Sequence, residues 1–200
     1  VGEARKLADW PTIVSYFGLL DQHSDRINVT EVGRSTEDNP FLIATIAAPD
    51  TLADLERYRT IQAKLADPRR IKNADEVESL IATGKSVILV TCSVHGTEVG
   101  ATQMSMLLAY DLVTSDDPRI KEILDNVIFL LIPSLNPDGL EIVKAWYDST
   151  IGTWYEGVYQ PFLYHKYVGH DNNRDWFMFT QQENRLAIQY AHNQWHPQVV

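Results

Sequence analysis

Ser86-Val-Ile-Leu-Val-Thr-Cys-Ser-Val-His95-Gly-Thr-Glu98 is the stretch from which the fold can be read. Val87 to Val90 form a short apolar run, β-branched in part, with polar residues and Gly84 before it. Such a run predicts a buried strand. Beyond it Ala101, Met104, Leu107, Leu108 and Leu112 recur at helical spacing. His95 and Glu98 therefore stand where a strand turns into a helix, at the carboxyl end of the strand. In open α/β sheets that edge is where ligands bind. An imidazole and a carboxylate one helical turn apart can converge on one cation, and this pair of donors suits zinc. The structural alternative is a capping or surface pair, which the same spacing also allows.

Working outward, Asp117-Pro118 is a helix start with proline at the first helical position, and Val127 to Ile132 reads as a second buried strand. That strand runs into Pro133-Ser-Leu-Asn136-Pro137-Asp138-Gly139, a dense turn signal. Strand, helix and strand with continuous apolar strands imply a parallel core. Upstream, Trp10 to Leu20 predicts a helix, and Arg26–Val32 and Phe41–Ala47 predict strands joined by turn chemistry at Ser35 to Pro40. That hairpin makes the sheet mixed. The expected class is α/β, with a mixed, mostly parallel sheet flanked by helices.

Between hairpin and central strand, Asp50 or Thr51 caps a helix running to about Ala66, and Pro68 marks its end. Asn73 with Glu76 reads as a capping box for a shorter helix that Gly84 stops. Ala82-Thr-Gly84-Lys85-Ser86 mimics the end of a phosphate-binding loop, but Ser79 stands where the first glycine belongs, and a strand follows where a helix must open.

From Leu140 to about residue 170 the pattern is irregular and aromatic, with Trp146, Tyr147, Trp154, Tyr155, Tyr159, Phe162, Tyr164 and Tyr167. A long loop of this kind either packs its rings on the domain or lines a pocket. Asp171-Asn-Asn173-Arg174-Asp-Trp176 closes it. Thr180-x-x-Glu183 then reads as a capping box for a helix carrying Ala187, Tyr190, Ala191 and Gln194 or Trp195 on one face. Pro197 ends that helix, and Gln198 to Val200 read as the first residues of another buried strand.

Composition bounds the function. With 44% hydrophobic and 22% charged residues, the chain has the make-up of a globular domain. Its 17 basic and 27 acidic residues leave a net charge of −10, which argues against nucleic acid as a partner. No apolar run approaches the ~20 residues of a membrane span. The single cysteine, Cys92, lies in the central strand and reads as a small buried hydrophobe rather than a nucleophile. Asn28-Val-Thr30 matches a glycosylation sequon by pattern. The compartment stays open, with a secreted or periplasmic setting favoured. The chain begins at Val1 and stops inside an apolar run, so it reads as a piece of a longer protein, one partial domain over 1–200.

His95-x-x-Glu98, Asn136-Pro-Asp-Gly139 and Asn172-Asn173-Arg174-Asp-Trp176 together resemble the zinc carboxypeptidase family, the carboxypeptidase A-like metallopeptidases. The resemblance covers the chain from the hairpin near Arg26 to Val200, with residues 51–84 as a helical insertion. It implies a carboxypeptidase-like fold, a Zn2+ cofactor and a peptide substrate with a free C-terminal carboxylate. It matches His95 and Glu98 to two of three zinc ligands, and Asn173 and Arg174 to the pair that holds the terminal carboxylate. A guanidinium fork suits a carboxylate, and an amide adds an orienting donor. The local alternative for Arg174 is a salt bridge to Asp171 or Asp175. Asn136-Pro-Asp-Gly139 is expected to be architectural.

The third zinc ligand, a histidine, and the general-base glutamate are expected beyond Val200, because His192 and His196 precede the strand that would carry the former. The family's carbonyl-polarising arginine has no counterpart, since residues 140 to 172 contain none; Lys166, His165 or His170 could take its place. The expected function is a zinc metallocarboxypeptidase. Its alternatives are an aspartoacylase-like deacylase of N-acyl amino acids and a non-catalytic peptide-binding domain of the same fold.

Overall fold

A computed structural model describes residues 2–200. Helix α1 (Trp10–His23) starts on Asp9, whose carboxylate accepts from the Thr12 amide. The hairpin follows as β1 (Ile27–Arg34) and β2 (Pro40–Ile46). The helix expected from Asp50 or Thr51 to Ala66 is two pieces, α2 (Pro49–Leu52) and α3 (Leu55–Ala66), because Asp54 steps out of helical geometry at φ −133° and ψ 40°. In α4 (Ala74–Thr83) Asn73 caps the Glu76 amide as expected, while the Glu76 carboxylate reaches back one residue further, to the Lys72 amide.

The central unit is β3 (Ser86–Thr91), α5 (Val99–Thr114), α6 (Pro118–Asn126) and β4 (Val127–Ile132). The sheet runs β1-β2-β4-β3, antiparallel at its first two pairings and parallel between β4 and β3. Val199 bridges Ile88 in parallel on the far edge of β3. The sheet is mixed and helix-flanked as expected, but two of its three strand pairings are antiparallel, since the hairpin pairs directly with β4, so it is not mostly parallel.

Both faces of the sheet are covered, which is why its inner strands read as unbroken apolar runs. Leu42, Ala44, Ile46 and Leu131 pack on one side with Trp10, Ile13 and Phe17 of α1 and Met106 and Ala109 of α5. Phe41, Ile43, Val87, Leu89, Ile128, Leu130 and Ile132 pack on the other with Tyr58 and Ile61 of α3, Leu186 and Trp195. Strand alternation divides neighbouring side chains between the two cores. Cys92 is buried in the first of them, and burial pushes its thiol up to about 11, so it stays an inert hydrophobe.

Two readings of the second half need correction. The signal at Pro133 to Gly139 does not open a long loop; it starts α7 (Pro137–Thr150). Asn136 caps the Gly139 amide, Pro137 takes the first helical position and Asp138 lies in the first turn. The bulky Trp146 and Tyr147 masked a helical pattern, and the irregular stretch begins only at Ile151. Thr180 and Glu183 do not form a capping box either. The Asp175 carboxylate accepts from the Thr180 and Gln181 amides and from the Thr180 hydroxyl, and α8 (Gln182–Ala187) follows. It continues as a π-helical turn over Ile188–His192 and a last α-turn over Asn193–Trp195.

Glu183 has a different partner. Its carboxylate accepts from the Thr36 amide at 2.8 Å, joining α8 to the hairpin turn. Asp138 accepts from the Asn39 side chain at 2.8 Å, the Glu37 amide at 3.0 Å and the Ser35 hydroxyl. The Tyr167 hydroxyl lies between the two acids, 3.1 Å from Asp138 and 3.3 Å from Glu183. This buried network ties the hairpin, α7, α8 and the long loop into one body. Burial pushes the Glu183 carboxyl above the usual carboxylate range. A raised native pKa means that its contribution to stability is full below the ordinary value and is lost as pH rises through the raised one. Glu183→Gln should therefore gain stability relative to the parent between about pH 4 and pH 7, read from urea melts at both values. A difference that stays flat or falls with pH would refute it.

Candidate functional site

The turn carrying His95 is a close-packed junction. An added Cβ on Gly96 would lie 2.5 Å from the Gly139 carbonyl carbon, so only glycine permits this approach. Gly139 is hemmed in similarly by the capping side chain of Asn136. The Asn136 amide donates to the Tyr164 hydroxyl at 3.1 Å, which accepts from the Gly96 amide at 2.8 Å and donates to the Val94 carbonyl at 2.9 Å. Burial pushes the Tyr164 phenol up to about 12, so it remains a donor. The Asn-Pro-Asp-Gly turn is therefore architectural, as expected. Tyr164, whose role the sequence did not reveal, completes the clamp.

On the other side of the turn, Ser93 is held in the left-handed region at φ 49°. Its hydroxyl donates to the Glu98 carbonyl at 2.7 Å and accepts from both the amide and hydroxyl of Thr102. This sets the backbone of Glu98 at the first residue before α5. Glu98 makes no side-chain cap there. Instead its carboxylate turns to His95, with Oε1 2.8 Å from the ring Nδ1 and Oε2 3.3 Å from the backbone amide.

The structure thus brings the two expected metal ligands to one point. The other ring nitrogen, Nε2, faces Asp171 Oδ2 at 3.4 Å, and Asp171 Oδ1 is buried without a hydrogen-bond partner. An imidazole nitrogen and a carboxylate oxygen at this separation are donors that zinc accepts. A carboxylate behind the imidazole is the usual outer partner of a ligating histidine. These residues fit zinc as two of its ligands. Among the described residues no set of three His, Cys, Asp or Glu side chains converges to hold a metal. His196 lies beside Ser86, at the amino end of β3 and so at the end opposite His95.

The arrangement of Asn173 and Arg174 is partly informative. They sit in a 3-10 turn over Asn172–Arg174, directly after Asp171. Neither local salt bridge is formed: Asp171 faces His95, while Asp175 is buried and caps Thr180 and Gln181. The exposed guanidinium of Arg174 has one hydrogen bond among the described residues, to the Asn173 carbonyl at 3.3 Å. The open cleft of about 500 Å³ at His95 and Glu98 is lined by Thr97, Tyr159, Gln160, Phe162 and Tyr164, and Asn173 and Arg174 are not among its walls.

The candidate substitutes for the missing arginine are all engaged. Lys166 pairs with Glu37 at 2.9 Å, and His170 faces Asp175 at 3.4 Å. Burial lowers the pKa of His165, whose Nε2 donates to Asn172 at 2.9 Å. The long loop divides its aromatics: Tyr164 and Tyr167 reach the buried networks, whereas Trp154 is 99% exposed.

Known proteins share this chain's family and fold. A family model described as zinc carboxypeptidase matches residues 13–197, and the chain belongs to that family. A zinc carboxypeptidase of Saccharothrix mutabilis subsp. capreolus is 26% identical over 162 residues, 80% of this chain and 33% of the relative. The chain thus spans about a third of the length of this curated relative. In fold it is similar to a metallo-carboxypeptidase from Burkholderia cenocepacia, at TM-score 0.57 and 17% identity, covering 92% of this chain and 37% of that one. It is likewise similar to the carboxypeptidase A of Helicoverpa armigera, at TM-score 0.56 and 13% identity, covering 95% and 43%.

Asp171 generates a test. If it orients His95 for a metal, Asp171→Asn in the full-length protein should weaken zinc binding by about 10–100-fold with little change in melting temperature. Competition against a chelating dye measures it. Unchanged affinity would show that the carboxylate has no bearing on the ligand.

Proposed function

We propose that this member of the zinc carboxypeptidase family forms part of the active site of a metallocarboxypeptidase that removes C-terminal residues from peptides. The observation that carries the reading is the convergence of His95 Nδ1 and Glu98 Oε1 at 2.8 Å, with Asp171 on the opposite ring nitrogen. His95 and Glu98 would hold the ion, and with Nδ1 ligating, the ring proton belongs on Nε2, facing Asp171. When bound, zinc supplies Lewis acidity that activates a water and polarises the scissile carbonyl. Asn173 and Arg174 would receive the substrate's terminal carboxylate, Arg174 through charge-assisted hydrogen bonds. The third ligand and the general base belong to the protein outside residues 1–200.

One observation favours a second reading. Every basic side chain between residues 140 and 172 has a partner: Lys144 with Asp148, His165 with Asn172, Lys166 with Glu37 and His170 with Asp175. None of the four lines the His95–Glu98 cleft, where a carbonyl would be polarised. A peptide-binding domain that keeps the fold without the chemistry accommodates this, and an aspartoacylase-like deacylase is separated by its substrates. Incubating the zinc-loaded full-length protein with free peptides, C-terminally amidated peptides and N-acyl amino acids discriminates the three. Release of C-terminal residues from free peptides alone supports the carboxypeptidase; cleavage confined to N-acyl amino acids, or binding without cleavage, overturns it.

Two further outcomes follow. Arg174→Ala should lower kcat/KM on peptides with a free C-terminus by roughly 10–150-fold, the equivalent of losing about 1.5–3 kcal/mol of charged hydrogen bonding. An equal loss on amidated peptides would remove Arg174 from carboxylate binding. Residues 1–200 alone supply one imidazole and one carboxylate where catalytic zinc uses three protein ligands, so calorimetric titration should find weak binding that becomes tight in a longer chain. Tight binding by the short chain, abolished by His196→Ala or His170→Ala, would relocate the third ligand.

A further inference from the structure

A cavity of about 300 Å³ lies between the hairpin, α3 and the helical turns that follow α8. Its size is at the lower end of the range of about 300–1,000 Å³ typical of pockets that enclose small ligands. It shares no lining residue with the cleft at His95 and Glu98. It is therefore a separate site, away from the residues that would hold zinc.

Arg59 of α3 is the one cation in its wall among the described residues. The guanidinium lies over the Trp195 indole, with Cζ 4.6 Å from the ring centroid. Trp195 is 2% exposed and packed in the core beneath the sheet, so it is a rigid platform. Stacking occupies the flat face of the guanidinium and leaves its in-plane donors to find acceptors. Those donors are poorly supplied. Among the described residues the one acceptor is the Glu56 carboxylate, 3.5 Å from Nη1, on a side chain that is 82% exposed. Nε is buried without a hydrogen-bond partner. The Arg59 side chain is nevertheless 36% exposed, so its fork is reachable. Buried polar groups are normally paired. A guanidinium held flat beside a cavity with its fork unfilled calls for an acceptor that enters from outside.

The rest of the wall restricts what that acceptor belongs to. The π-helical turn Ile188–His192 brings Tyr190 to the cavity beside Gln194, and turns of this kind recur at functional sites. Tyr190, Trp195 and Ile43 supply ring and aliphatic surface, which gains from burying an apolar body. The other charged residue of the wall, Glu31, is taken up by Arg34 at 2.7 Å. One weakly paired guanidinium in a chain of net charge −10 suits a single negative charge better than a doubly charged phosphate. A carboxylate meets the guanidinium fork in its plane. We infer that this cavity binds a small monocarboxylate with an apolar or aromatic body, its carboxylate on Arg59. The site is independent of the carboxypeptidase reading.

The test is calorimetric titration of the full-length protein carrying Arg174→Ala, which disables the carboxylate site proposed for the catalytic cleft. The probes are phenylacetate, its uncharged counterpart phenylacetamide, and inorganic phosphate. Phenylacetate should bind, and the other two should bind about tenfold more weakly or not at all. Adding Arg59→Gln should weaken phenylacetate binding by about tenfold or more. Adding Glu56→Gln instead removes the competing acceptor and should tighten it by about two- to fivefold. Glu56 is so exposed that its variant folds as the parent does, which keeps the test decisive even where Arg59→Gln is destabilised. Absence of phenylacetate binding, binding that Arg59→Gln leaves unchanged, or binding that Glu56→Gln fails to tighten overturns the site. Equal binding of phenylacetamide or phosphate overturns the carboxylate assignment. None of these outcomes bears on peptide cleavage at the His95–Glu98 cleft.

Discussion

The backbone contact between Gly96 and Gly139 is the constraint on which the site depends. It joins the turn after β3 to the start of α7 at a separation that no side chain would allow. Once the two backbones meet, Asn136 can cap α7 and donate to Tyr164 with the same amide side chain. Tyr164 then grips the Val94 carbonyl and the Gly96 amide on either side of His95. The imidazole is thereby held by groups that do no chemistry themselves. If His95 serves as a metal ligand, as proposed, a side chain kept in place this way would lose little freedom on meeting a cation.

The acidic residues of this chain fall into two populations. Most lie on the surface and supply the net charge of −10. Asp138, Asp175 and Glu183 are buried, and each serves as an acceptor for backbone amides of a neighbouring segment. In this low-dielectric setting a carboxylate that receives several hydrogen bonds orders the chain around it. Asp175 shows the balance: burial raises its pKa, yet hydrogen bonds from Thr180 and Gln181 outweigh burial and hold it below the ordinary value. These carboxylates fix the loop that brings Tyr164, Tyr167 and Asp171 to the site, which periodic packing could not do.

Glu98 illustrates how a competing role was set aside. A carboxylate at the start of a 16-residue helix is well placed to cap its free amides. Here Ser93 and Thr102 organise the helix start, and Glu98 is released to face His95. A pair that spacing alone leaves ambiguous becomes a pair in direct contact, with the ring Nδ1 2.8 Å from the carboxylate.

Much of this was legible in the residues. The apolar runs at Val87 and Val127, the turn chemistry at Ser35 to Pro40 and the caps at Asn73 and Asp117 determined strands, hairpin and helix starts, because those signals are local. His95 and Glu98 were legible too, since three residues and a strand-to-helix switch put them on one side of a short turn. Tertiary structure alone decided the rest. Asn136-Pro-Asp-Gly139 reads from sequence as a turn, yet in the structure it starts α7, with Asn136 capping the Gly139 amide and Gly139 packed against Gly96. Thr180 and Glu183 have capping-box spacing, but Asp175 and Thr36 are the partners they find in space. Asp171 meets His95 from 76 positions away in the chain. Local patterns carry information about dihedral preference and which face is apolar; which distant polar groups will satisfy one another is settled only when the buried chain must pair them.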